Sequence, residues 1–490
     1  MDSPKLYSHI HSPFILTIFG ATGDLTHTKL IPGLLALFND KMLPEDFFIV
    51  GFSRREMSDE DFRNSFPEHK EKTGWEQFSK HLYYHQGTFE DSHKYEKLNE
   101  RLHIFDNSLN QCIGKLFYLA TPPQNYEEIL DNLHTTKLAE GCGHLGHTQT
   151  KVVIEKPFGR DLATAIALDE KLSNYLLEEQ IFRVDHYLGK ETVQNILAFR
   201  FANGIFEPIW NKEYIDHVQI TWAEKKGIEG RGQFFEQVGI LRDVVQNHML
   251  QLLAAVAMEQ PKSFTKESIR DARASAIKAI KPMDKEKIDE LVVRGQHEGF
   301  RVEKDVSKDS QTETFAALKL YVDTERFQDV PFYLRAGKAM ENDCIEISVV
   351  FRQTCHILFK EYGCPEIGNV VTIRIQPDAG IALRIIGKKP GPRLSLGDID
   401  MKFNYKEAFG TYGIDAYEKI LLDIFTGDQM LFNRSDELES SWELVTEILN
   451  GWKGTDPNFP NYEKGGWGPK GAQELIEKDG RRWLKGANED

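Results

Sequence analysis

The apolar run Phe14-Ile15-Leu16-Thr17-Ile18-Phe19 passes directly into Gly20-Ala21-Thr22-Gly23-Asp24-Leu25, and a helical pattern begins near Leu25. Strand, glycine turn and helix in immediate succession constrain the fold more than any other feature of this chain. A strand that feeds a helix through so tight a turn belongs to a βα unit, whose sheet is parallel and covered on both faces. Gly20 and Gly23 permit positive φ and close approach, so the N–H groups of the helix start are free to face a pyrophosphate. The fingerprint is incomplete. The first close pair of glycines in G-x-G-x-x-G is missing, and Thr26 stands where a last Gly or Ala is usual. The turn alone leaves two readings open, a phosphate cradle and a merely structural bend.

The first third of the chain keeps the same rhythm. DFFIVGF (46–52), HLYYHQG (81–87), KLFYLA (115–120) and KVVIEKP (151–157) are apolar runs separated by stretches long enough for helices, as expected for strands buried on both faces. KVVIEKP reads as the last of them. Beyond about residue 210 the pattern changes to period two, in YIDHVQITW (214–222), CIEISVVF (344–351) and VVTIRIQP (370–377). That predicts antiparallel strands with one wet face. At 490 residues the chain is too long for one core. The expected architecture is an α/β Rossmann-type N-terminal domain with a parallel sheet over 1–184, and an α+β C-terminal domain with a large, mainly antiparallel sheet over 185–490. Residues 233–261 predict one long helix, interrupted by glycine only at Gly239 and ended by Pro261. The charged stretch 281–309 reads as a solvated connector around the strand LVVRGQ, and the Gly- and Pro-rich tail as irregular loops.

Composition works by exclusion. A formal net charge of −16 argues against non-specific nucleic-acid binding, which needs clustered positive charge, so any anionic ligand has to be held by a local basic cluster. No segment approaches the roughly 20 uninterrupted apolar residues of a membrane span, and residues 1–13 lack a basic start followed by an apolar run; no membrane association is expected. The five cysteines, at 112, 142, 344, 355 and 364, contain no C-x-x-C pair and fit reduced thiols in the cytoplasm better than a disulfide framework. Cys142, His144 and His147 lack a fourth ligand nearby, so no metal is expected.

The end of the second predicted strand bears on the cofactor. Folds specific for NAD place an acid there to hold the ribose 2′-hydroxyl, whereas this chain has Gly51-Phe52-Ser53-Arg54-Arg55. The Arg54 guanidinium suits a 2′-phosphate, with Thr22 as a second donor, which favours NADP over NAD. The plainer alternative is a pair of surface arginines. Further along, His186, Tyr187 and Lys190 bring imidazole, phenol and ammonium within five residues, a donor set for a phosphate dianion; the alternative is an ordinary helix start capped by Asp185. His248 suits either a hydrogen-bonded core histidine or a general base. Asp243 lies five positions before it, too far around an α-helix for a neat pair. Lys156, in Glu155-Lys156-Pro157-Phe158-Gly159, sits where ligands of open α/β sheets bind, or else in a solvated loop.

GATGDL (20–25), EKPFG (155–159), RVDHYLGKE (183–191), EGRGQFFEQVGILRDVVQNHMLQ (229–251) and RAGKAM (335–340) together resemble the glucose-6-phosphate dehydrogenase family, in its order and with compatible spacing over most of the chain. The resemblance implies oxidation of glucose 6-phosphate at C1 to 6-phospho-D-glucono-1,5-lactone with reduction of NADP, the entry to the oxidative pentose phosphate pathway. It implies His248 as general base and Asp185 as the carboxylate that orients it. His186, Tyr187 and Lys190 then fall on the substrate-phosphate site, and Lys156, Glu224, Asp243 and Lys338 on sugar contacts. Gly20, Ala21, Thr22, Gly23, Asp24, Leu25, Lys29, Arg54 and Tyr126, with Lys156, fall on the cofactor side. Asp24 is expected to serve the helix start or the turn more than the phosphates, since its charge opposes theirs. NADP is the implied cofactor, NAD a weaker alternative, and a homodimer or dimer of dimers through the large sheet the implied assembly. One position departs from the family. Five residues after Lys338, where Lys or Arg is common, this chain has Asp343, through a shifted alignment or through the loss of one cation at the phosphate.

Overall fold

The computed structural model describes residues 10–140, 150–410 and 415–484; the group Cys142, His144 and His147 lies outside them. Two sheets organise the chain. The first is built from β1 (Phe14–Phe19), β2 (Phe47–Ser53), β3 (Leu82–Gln86), β4 (Gly114–Leu119), β5 (Thr150–Glu155) and β6 (Ile181–Val184), ordered β6-β5-β4-β1-β2-β3 and parallel throughout. Alternate residues of β1 explain why its run is apolar without a break. Leu16 and Ile18 pack with Ile31, Leu34 and Leu421 on one face, while Ile15 and Phe19 pack with Tyr95, Leu98 and Ile129 on the other. Strand order reverses between β1 and β4, which opens a crevice beyond their carboxyl ends, where the glycine turn sits.

The second sheet comprises β7 (Ile215–Ala223), β8 (Val292–Gly295), β9 (Phe315–Tyr321), β10 (Pro331–Gly337), β11 (Cys344–Phe351), β12 (Val370–Gln376), β13 (Gly380–Lys388) and β14 (Leu396–Asn404). Its order is β14-β13-β12-β11-β7-β10-β9-β8, antiparallel except between β7 and β10. An α/β parallel-sheet domain followed by an α+β domain with a large, mainly antiparallel sheet is the architecture the periodicities predict. A late strand, β15 (Phe432–Asn433), returns to pair antiparallel with β6, and the helix Ala416–Thr426 packs on the first sheet. The chain therefore crosses back after residue 185.

Five expectations are corrected. KVVIEKP is not the last parallel strand, because β6 follows it; four residues, IFRV, are too short to signal a strand by periodicity. The tail is not all loop. It forms a helix, Lys470–Glu477, and Tyr462, Leu475, Ile476 and Trp483 cover Phe315, Ala317 and Tyr333 on the far face of the second sheet, so that face is dry at β9 and β10. Cys355 and Cys364 are joined in a disulfide with Cα atoms 5.9 Å apart, within bridging range; cysteine usage thus no longer speaks for a reducing compartment. The charged stretch 281–309 also holds a helix, Lys285–Leu291, before β8.

The fifth correction positions the site. Residues 233–261 do not form one helix: Gly239, at φ +69°, is non-helical and kinks the helix Gly232–Ile240, and a π-helical segment, Leu241–Met249, follows. A Cβ at position 239 would lie 2.3 Å from Glu313 Oε1, and that oxygen accepts the Leu241 N–H at 3.1 Å. Glycine is thus required both for the dihedral and for the approach of the carboxylate that caps the new segment. With i→i+5 bonding, residues five apart return toward one face. The α-helical spacing argument that set Asp243 and His248 apart therefore does not apply. Among the described residues no helix is long and apolar enough to cross a membrane.

Candidate active site

Asp185 directly follows β6, and its Oδ1 accepts two hydrogen bonds, from the Tyr187 N–H at 2.9 Å and from His248 Nδ1 at 2.7 Å. The first is a local turn of the kind a cap residue makes; the second reaches across to the π-helical segment. Both side chains are 3% exposed or less. Burial works to raise the Asp185 pKa, yet the His248 charge and hydrogen bond hold it well below the usual carboxylate range. Burial, with the charge of Lys156, lowers that of His248 against the pull of Asp185. The imidazole is thus neutral at neutral pH, with its proton on Nδ1 toward the carboxylate and the Nε2 lone pair available. Trp222 stacks on His248 at 5.1 Å between centroids, 11° from parallel, and Tyr187 lies 4.5 Å from the same ring.

Around this pair the structure gathers the predicted cations and acids. Lys156 Nζ, beside the cis Lys156–Pro157 peptide, lies 3.0 Å from Asp243 Oδ1 and 3.0 Å from the Asp243 carbonyl. Lys338 Nζ donates to Glu224 Oε2 at 2.6 Å, and Trp222 Nε1 donates to Glu224 Oε1 at 3.0 Å. Burial opposes ionisation of Asp243, but Lys156 and Lys338 hold it at about 2. His186 is pushed down to about 3 by burial and by His248. Lys190 lies 4.0 Å over the Tyr187 ring and donates to Gln376; burial lowers it to about 8. Asp185, His186 and His248 bring three potential metal-ligand atoms within 4.8 Å of one another.

The glycine turn lies across the crevice. Gly20 has φ +89°, and a Cβ there would fall 2.3 Å from the Ala120 carbonyl oxygen. Gly51 leaves the room that Ala21 fills, since its own Cβ would sit 2.8 Å from that of Ala21. Thr22 Oγ1 lies 3.0 Å from Ser53 Oγ, next to the exposed Arg54. Asp24 and Leu25 are the first helical residues after the turn, and Thr28 Oγ1 donates to the Asp24 carbonyl at 2.9 Å. A cavity of about 1730 Å³ joins Gly23, Asp24 and Leu25 to Tyr126, Lys156 and His186. Tyr126 is tied to the sheet, its hydroxyl donating to the Glu155 carbonyl at 2.8 Å. Lys29 leans over the Tyr417 ring at 5.9 Å and is near enough to Lys190 to depress it, so it stands between the turn and the Lys190 cluster. Asp343 accepts the Lys225 N–H at 2.8 Å, a backbone contact at the end of β7. Three residues in the cleft carry no sequence signal: Tyr417, Gln376 and Trp222 come from three distant stretches without a local motif.

The glucose-6-phosphate dehydrogenase NAD binding domain model matches residues 17–195, and the C-terminal domain model matches 197–484. Glucose-6-phosphate 1-dehydrogenase of Chlamydia pneumoniae is 43% identical over 493 residues, covering 96% of each chain. Among solved structures, a glucose-6-phosphate dehydrogenase in complex with its substrate glucose-6-phosphate superposes with a TM-score of 0.88 at 34% identity, over 98% of this chain and 100% of that one. The Mycobacterium avium glucose-6-phosphate 1-dehydrogenase gives 0.82 at 33%, over 96% and 99%. With two family models spanning the chain from the first strand to the tail, and identity sustained along its length, the chain belongs to the glucose-6-phosphate dehydrogenase family.

Proposed function

We propose that the cleft oxidises glucose 6-phosphate at C1 to 6-phospho-D-glucono-1,5-lactone, with NADP as cofactor. The observation that carries this reading is the buried Asp185–His248 pair, 2.7 Å between Oδ1 and Nδ1, set among the ammonium groups of Lys156, Lys190 and Lys338. His186, Tyr187 and Lys190 hold the phosphate. Glu224 and Asp243, each braced by a lysine, accept hydrogen bonds from sugar hydroxyls, and Lys156 and Lys338 keep Asp243 ionised. His248 Nε2 takes the C1 hydroxyl proton as the C1 hydrogen departs as hydride, and Asp185 stabilises the imidazolium that forms. When bound, NADP supplies the hydride acceptor. The residues fit it: Gly20 and Gly23 leave a cradle without side chains, and Arg54 is exposed beside Thr22. The test is absorbance at the reduced-nicotinamide band with glucose 6-phosphate and each cofactor in turn; absence of turnover with both NADP and NAD would overturn the reading.

Preference for NADP over NAD rests on Arg54. A charge-assisted hydrogen bond to phosphate is worth about 1.5–3 kcal/mol, so Arg54→Ala is expected to weaken NADP binding by roughly ten- to hundredfold and leave NAD binding as it was. An unchanged NADP-to-NAD preference would count against the assignment.

A homodimer through the second sheet is part of the same proposal. On the edge strand β14, Ile399, Met401 and Phe403 point to one side at period two and are 46%, 49% and 38% exposed, an apolar stripe of the kind that marks association surfaces. Met401→Asp is expected to convert the dimer to monomer in light scattering at micromolar concentration; an unaltered mass would move the interface elsewhere.

A further inference from the structure

Glu155 is the last residue of β5, at the carboxyl edge of the parallel sheet, and lines the same cavity as Gly23, Lys156, His186 and Tyr417. Its Oε1 accepts the Tyr118 hydroxyl at 2.6 Å and the Tyr417 hydroxyl at 3.4 Å. Its main chain is pinned as well, the carbonyl accepting from Tyr126 and the N–H donating to the same phenol oxygen at 3.2 Å. Tyr417 in turn stacks on His186 at 6.0 Å, 19° from parallel, and carries Lys29 over its ring. One carboxylate therefore holds the aromatic ring that bridges the cofactor turn and the phosphate cluster.

We propose that Glu155 is a positioning residue that fixes Tyr417, and through it His186 and Lys29, and whose negative charge weakens the hold of the cleft on a phosphorylated sugar until a proton neutralises it. The inference rests on the reading of His186 and Lys190 as the phosphate site. Its electrostatic half follows from the company Glu155 keeps. Burial, aided by the charge of Asp185, pushes the carboxyl up to about 7 against the hydrogen bonds of Tyr118 and Tyr417 and the charge of Lys156. A dianionic ligand in the same cavity favours the neutral acid further. Binding is thus tight below the Glu155 pKa and weaker above it. Lys190, lowered to about 8, loses its charge only at higher pH, and His186, at about 3, stays neutral throughout. The sugar phosphate itself is dianionic above about pH 6. Glu155 is left as the group that governs the window around neutrality.

The test is the KM for glucose 6-phosphate against pH in wild type, Glu155→Gln and Tyr118→Phe. In wild type KM is expected to rise by about threefold between about pH 6.5 and 7.5, the most that a single ionisation near 7 allows. Glu155→Gln keeps an acceptor for both phenols but cannot ionise, and its KM is expected to be flat across that window. Tyr118→Phe removes a donor that favours the carboxylate, which displaces the rise to higher pH. A Glu155→Gln profile superimposable on wild type overturns the proposal, and if that variant does not fold, an undisplaced Tyr118→Phe profile does the same. Absence of turnover in wild type would instead overturn the reading of the site on which this rests.

Discussion

Replacing His248 with Asn is expected to lower kcat by about 10²–10⁴-fold, the usual contribution of a positioned general base, while KM for glucose 6-phosphate moves only a few-fold. The split follows from the separation of duties in the cleft. The groups proposed to hold the phosphate, His186, Tyr187 and Lys190, stand on the segment after β6, whereas His248 reaches in from the π-helical segment and meets that cluster through ring contacts. Asparagine keeps a donor for Asp185 but has no lone pair in the Nε2 position to receive a proton. The pH profile gives the sign independently. Burial holds His248 below its ordinary value, and the neutral ring is the active form, so the acid limb of kcat/KM lies below about pH 6.5 and falls as pH falls. Asp185→Asn removes the charge that raises the His248 pKa; the limb should move lower still as kcat drops. A kcat near wild type in the His248 variant would show that another group takes the proton.

How much of this was legible in the sequence depended on how local the determining interactions are. β1 and its turn were readable because burial on both faces makes the strand apolar throughout, and because Gly20 answers to a carbonyl one strand away in the same sheet. Gly239 was visible, yet its meaning was not: the break it causes is paired with Glu313, on another element altogether. Reading that stretch with α-helical spacing separated Asp243 from His248, and the π-helical segment returns both to the cleft. Tyr417 and Gln376 were missed because each is an isolated polar or aromatic residue whose partners, Glu155 and Lys190, lie far off in the chain. The tail misled for the converse reason. Tyr462, Leu475, Ile476 and Trp483 are spaced among Gly and Pro with no single period, and only the sheet they cover reveals them as core.

Replacing Glu437 with Ala is expected to destabilise the folded protein by about 3–5 kcal/mol, because it leaves a buried arginine without its counter-charge. Glu437 is fully buried in the helix Ser435–Trp452; Oε1 accepts Arg273 Nη2 at 3.0 Å and Oε2 accepts Gln251 Nε2 at 3.0 Å. Arg273, 4% exposed, otherwise donates, among the described residues, to the carbonyls of Met430 and Phe432, at the start of β15. Those dipoles cannot replace a carboxylate in a dry interior. The free energy at stake is that of an isolated charge, not the net worth of the pair, so the double replacement Arg273→Met with Glu437→Leu should recover most of the loss. Chemical denaturation of the single and double variants separates the two quantities, and a single-variant loss under about 1 kcal/mol would mean that water reaches Arg273. The consequence is also catalytic. Gln251 follows His248 by three residues, and Gln246 Nε2 donates to Ser441 Oγ at 2.8 Å on the helix that carries Glu437. The clamp that neutralises Arg273 is therefore the one that holds the π-helical segment in register, so surviving activity in the Glu437→Ala variant should fall through kcat before KM changes.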